Sequence, residues 1–216
     1  MDPFRMCLAL GPVGVYVLLL GAINLSRRPF LVSGTRDAAA LGLAVAGFVI
    51  VGPMELFFPE AAAVRFQAYV WLLLLAFYGL CLILTLLLLR PRLIVYNISV
   101  DRLRPILADL VNHLDAEARW AGDSLIMPGL GVQMYIDGSP AMRNASLVSI
   151  GSNQNHQGWR RLEEALAATL QQVEVARNPR GASLVSAGVL IGAALVLAIA
   201  RDPQAVAREL FDMLRL

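Results

Sequence analysis

The stretch Gly151-Ser-Asn-Gln-Asn-His-Gln-Gly158 comes nearest to a chemical site by residue type. It leads from an apolar, strand-like run into the start of a helix, where main-chain N–H groups lack carbonyl partners and attract anions. Arg160 and Arg161 follow in the first helical turn. Gly151, Ser152, Arg160 and Arg161 together make an anion-site pattern of low specificity. Neither the phosphate-loop spacing nor a dinucleotide glycine fingerprint is matched. An Asn-rich capping loop with His156 in solvent accounts for the same letters, and that is the first expectation.

Other chemistry is restricted by what the chain lacks. All eighteen basic residues are arginine and none is lysine, so lysine-dependent phosphate loops and Schiff bases are excluded. Such arginine usage is what a GC-rich genome produces, and it points to a bacterial source. Two cysteines, Cys7 and Cys81, fall in apolar segments, which leaves no disulfide framework and no thiol in the polar part. His113 with Asp115, Glu117 and Asp123 has the residue types of a metal site, but a solvated helix end and a hairpin explain these residues. No nucleophile elbow and no HExxH occurs. The expectation is therefore no catalytic residue, no cofactor, no metal and no enzymatic activity. Asn97-Ile-Ser and Asn144-Ala-Ser match the glycosylation sequon by letter alone. The net charge of +2, spread along the chain, carries no nucleic-acid footprint.

The elements that would position these residues begin in lipid. Ala68 to Leu89 is 22 residues without a charge, roughly 33 Å as a helix against a hydrocarbon core of about 30 Å. Tyr69 and Trp71 flank one end and Arg90 and Arg92 the other. Residues 7 to 25 form an earlier apolar run. Arg27 and Arg28 follow it directly, so an uncleaved anchor is expected rather than a signal peptide. The stretch 26–37 reads as a loop ending in Asp37, an N-cap for a second helix over 38–58. Its arginines Arg27, Arg28 and Arg36 are candidate contacts for anionic lipid.

In that second helix Ala38, Gly42 and Ala46 recur at four-residue spacing and make a close-packing stripe. Gly52-Pro53 should bend its far end just before Glu55, the one acid expected within a span. A fourth span, 183–200, carries Gly188 and Gly192, expected to pack against the stripe of the second. Residues 177–181 read as a linker. The tail from Asp202 should form a short amphipathic helix lying in the interface or docked on the protein.

Between the third and fourth spans lies a polar segment of about 80 residues. Leu103, Ile106, Leu107, Leu110, Val111 and Leu114 repeat at three and four, a helix with one buried face. Val132, Met134 and Ile136 alternate with polar neighbours, a strand with one wet face. Trp159, Leu162, Leu166 and Val173 mark a second helix.

The expected architecture is a helical membrane part of about four spans plus a small α+β two-layer domain, in the order strand, helix, three or four antiparallel strands, helix. Its divisions are 1–92, three spans; 93–176, the α+β domain; 177–200, linker and fourth span; and 201–216, the tail helix. The function expected is a non-catalytic scaffold, assembly or regulatory subunit in a bacterial inner membrane. Its partners would be the lipid bilayer and a protein or a second copy of the chain. The alternative is a small transporter or channel component using Glu55. Arginines at 27, 28, 36, 90, 92, 102, 104, 177 and 180 outnumber those at 5, 65, 201, 208 and 215 by nine to five, which places the α+β domain in the cytoplasm.

Overall fold

The computed structural model describes residues 3–54, 56, 59, 66, 69–139, 143–151 and 154–214. The elements in chain order are α1 (Pro3–Leu25), β1 (Phe30–Ser33), α2 (Gly34–Val49), a π-helical stretch (Ile50–Met54), α3 (Tyr69–Leu88), β2 (Arg92–Tyr96), α4 (Val100–Leu114), β3 (Arg119–Ala121), β4 (Ser124–Met127), β5 (Val132–Ser139), β6 (Asn144–Ser149), α5 (His156–Gln171), α6 (Pro179–Arg201) and α7 (Pro203–Leu214). They form two compact units. One comprises Met1–Leu20, Ala38–Leu88 and Ser183–Leu216, and the other Gly21–Asp37 and Leu89–Ala182.

The first unit is helical. Among the described residues α1, α2 with its π-helical end, α3 and α6 are each long and apolar enough to cross a membrane, as expected of a multi-pass membrane protein. Their large apolar side chains stay uncovered: Leu72, Phe77, Leu80 and Leu87 of α3 are all exposed, which suits lipid and would be costly in water. Small residues set the contacts. A Cβ at Gly47 would run into the backbone of Leu8 and Ala9, so α2 meets α1 there at backbone distance. The Tyr78 hydroxyl donates to the Gly42 carbonyl at 2.7 Å, and Leu82 fills the space over Gly42, joining α3 to α2.

The fourth span packs differently from expectation. Gly188 lies against Leu18 and the carbonyl of Gly14, so it meets α1 rather than the stripe of α2, and a Cβ at Gly192 would meet nothing within 4 Å. A small residue permits close approach, but the rotation of the helix decides which small residue is used. At the tail, the Phe4 N–H donates to Glu209 Oε2 at 3.2 Å, so α7 docks on the start of α1.

The second unit is a six-stranded, wholly antiparallel sheet in the order β1-β2-β6-β5-β4-β3. Leu103, Leu107 and Val111 of α4 and Leu162, Leu166 and Leu170 of α5 close over the inward residues of the strands, among them Leu125, Met134 and Leu147. Each of these leucines contributes about 1.5–3 kcal/mol through its burial. At the β3 edge, Arg104 pairs with Asp123 at 2.9 Å and stacks 5.5 Å from the centre of the Trp120 ring.

Three expectations about the borders change. Residues 30–33 are not loop but the edge strand β1, paired with β2 from Phe30↔Tyr96 to Ser33↔Leu93. Helix α2 begins at Gly34, so Asp37 sits in its first turn and is no N-cap. Its carboxylate instead accepts from the Tyr96 hydroxyl at 2.5 Å and lies 3.9 Å from the Arg92 guanidinium. The supposed linker is also structured. Asn178 is only 2% exposed, its Nδ2 donates to Asn24 Oδ1 at 3.0 Å, and α6 starts at the next residue. Asn97, in the left-handed region at φ 63°, is wholly buried and donates to the Ser26 carbonyl at 2.7 Å. A glycan at Asn97 is incompatible with this fold.

Candidate functional site

The described residues on either side of the β6–α5 connection are tied by hydrogen bonds. Strand β6 alternates inward Ala145, Leu147 and Ser149, so a hydroxyl occupies the last position of an otherwise apolar row. The Ser149 N–H donates to the Pro91 carbonyl at 3.0 Å, and the Ile150 N–H to Gln133 at 2.9 Å. Gly151 then turns the chain at φ 83°, a conformation that favours glycine. Gln154 clamps the loop: its Nε2 donates to the carbonyls of Gln133 and Ile150, while its Oε1 accepts from Trp159 Nε1 at 2.8 Å. Asn155 is the N-cap of α5, with its side-chain oxygen accepting from the Gln157 N–H at 3.0 Å. Gly158 is packed on the Leu130 carbonyl, where a Cβ would not fit.

This frame leaves an open cleft of about 520 Å³ lined by Arg90, Pro91, Ser149, Gly151, Gln154 and His156. Ser149 is 3% exposed; its hydroxyl makes no hydrogen bond among the described residues and is not sealed from solvent. Arg90 is exposed and has no acidic partner among them. Among the described residues no carboxylate lines the cleft. The N-terminal end of α5 and the Arg90 guanidinium both make it electropositive.

Of the four anion-site residues expected from sequence, Gly151 lines the cleft, and Ser152 lies outside the described residues. Arg160 and Arg161 are exposed on α5 but do not line it. Arg90 and Ser149 were not expected there, and Gln154 was expected only as part of the loop. Only the polar break in the inward row of β6 marks Ser149 in the sequence, and Arg90 is brought in by pairing of β2 with β6.

The remaining candidates are scattered. Glu55 lies outside the described residues; the residues before it, Ile50–Met54, form the π-helical stretch containing Pro53. Ala38 and Ala46 are half-buried and Gly42 is buried under Leu82. The side chains of Arg27, Arg28 and Arg36 are exposed, without ion pairs among the described residues. The acidic set near His113 does not assemble. Asp115 is buried and accepts from the N–H groups of Glu117 at 3.0 Å and Gly129 at 2.8 Å, while Asp123 is taken by Arg104. Among the described residues no group of three or more His, Cys, Asp or Glu could hold a metal ion. No protein-family description, curated protein or solved structure matches this chain.

Proposed function

We propose that this chain is a multi-pass protein of a bacterial inner membrane that acts as a non-catalytic scaffold, assembly or regulatory subunit, docking a protein partner on its α+β domain in the cytoplasm. The observation that carries this reading is the open part of the sheet's second face, over β4 and β5; at β2 the same face is closed, with Ile94 and Tyr96 buried. Helices α4 and α5 cover one face, while on the other Tyr135 and Ile126 are 38% and 39% exposed. Cross-strand register sets Tyr135 between Ser124 and Val148, and Ile126 between Gln133 and Arg119. An aromatic and aliphatic centre with Arg and Gln at its margin is the composition of a protein-binding surface. The excess of arginine beside the domain favours the cytoplasmic side.

The test is purification of the full chain in mild detergent. A stoichiometric partner should accompany the wild type and be lost with Tyr135→Glu, a change expected to weaken binding by about thirtyfold or more. Glu164→Ala, on the exposed surface of α5, should retain the partner. A wild-type chain that purifies alone, or a partner indifferent to Tyr135→Glu, rejects the reading.

A second reading, a small transporter or channel component, draws on the π-helical stretch with Pro53 immediately before Glu55, since such stretches free backbone groups and recur at functional positions. Ion or solute flux in liposomes that Glu55→Gln abolishes would favour it over the scaffold.

A further inference from the structure

We propose that the cleft between Arg90, Ser149 and the start of α5 is a binding site for a phosphoryl anion, either the headgroup phosphate of an anionic lipid or a free phosphate ester. Three donors of different kinds line it. The Arg90 guanidinium offers a planar fork suited to phosphate oxygens. The His156 N–H belongs to the first turn of a 16-residue helix and has no partner among the described residues, so it offers a main-chain donor at the positive end of α5. The third donor is the Ser149 hydroxyl. Ser149 is 3% exposed and lines the cleft, and its hydroxyl makes no hydrogen bond among the described residues yet is not sealed from solvent, so it is free to donate to a ligand there.

The ligand is an anion because the cleft carries cationic and donor groups and, among the described residues, no carboxylate. The walls are preformed. Gln154 makes four hydrogen bonds, to Gln133, Ile150 and Trp159, and its own position is fixed before any ligand arrives, which lowers the ordering cost of binding. The chain itself supplies a reason to include lipid as a source. Arg90 follows Leu88, the last residue of the apolar helix α3, by two positions, so the chain tethers it within about 7 Å of that helix end.

The experiment uses the full chain in a maltoside detergent, which carries no phosphate. Inorganic phosphate is titrated in one arm and phosphatidylglycerol in the other, with melting temperature and native mass spectrometry as readouts. At least one ligand should bind and raise the melting temperature. Arg90→Gln, at an exposed position, and Ser149→Ala should each weaken that binding about tenfold or more, while Arg102→Gln on the exposed side of α4 should not. Binding of phosphatidylglycerol alone identifies a lipid headgroup. Binding of inorganic phosphate alone identifies a soluble ester, and binding of both shows that the phosphate itself is what is read. The proposal is overturned if neither ligand binds, if Arg90→Gln and Ser149→Ala leave binding unchanged, or if Arg102→Gln weakens it as much as Arg90→Gln does.

Discussion

Gly47 and Gly192 are chemically the same and stand in opposite situations. Beside Gly47 the backbone of α1 occupies the space a Cβ would need, and beside Gly192 that space is open. Lipid offers helices no hydrophobic drive to associate, so backbone approach at small residues carries much of the association. Gly47→Ile should therefore cost at least about 1–3 kcal/mol through overpacking. Gly192→Ile should stay within about 0.5 kcal/mol of wild type. Thermal unfolding in detergent compares the two, and equal losses would mean that α1 and α2 do not pack at Gly47. Reading GxxxG in the fourth span did find Gly188, which meets α1. Gly47 belongs to no such pattern, and its role follows from the rotation of α2 about its own axis.

At the scale of elements, β1 changes what the α+β domain is. A fragment of residues 93–176, the extent expected from sequence for the α+β domain, lacks this strand. It also removes the Ser26 carbonyl that receives Asn97 Nδ2 and the Arg27 carbonyl that receives the Val175 N–H at 2.8 Å. Removing these partners leaves the polar groups of β2 and Asn97 to find others, at about 1–3 kcal/mol for each one left buried and unsatisfied. The fragment should melt less cooperatively than the same residues in the full chain. Hydrogen exchange on the full chain is the sharper test: amides in 30–33 that bond across the β1–β2 ladder should be protected with those of β2. Rapid exchange throughout 30–33 would show that β1 does not belong to the sheet.

For the molecule as a whole, the pairing of β1 with β2 bears on topology. Two candidate spans, α2 and α3, lie between Ser33 and Arg92, yet these residues enter neighbouring strands of one sheet. An even number of crossings returns the chain to its starting side, so the first loop and the α+β domain share a side of the membrane. Arginine counting reaches the same pattern from an unrelated cause. Cysteines introduced as Arg28→Cys and Arg160→Cys, both at exposed positions, should label from one side with a membrane-impermeant maleimide. Labelling from opposite sides would mean that α2 or α3 does not cross.

The sequence by itself determined the four apolar helices and the helical and strand periods of the domain, because lipid span length and one-sided burial leave a local trace every two or 3.6 residues. It also offered the 151–158 loop as an anion-site pattern of low specificity, beside the capping loop that was the first expectation. Only the tertiary structure decided that residues 30–33 join the sheet, that Asn178 is buried against Asn24, and that Arg90 and Ser149 share a cleft. These outcomes join residues tens of positions or more apart in the chain. A short edge strand of four residues has too little pattern to announce itself, and a contact between distant residues has no period in either partner. Helix rotation likewise chose Gly47 and Gly188 over Gly192, because three-dimensional packing and not residue type settles which face is covered.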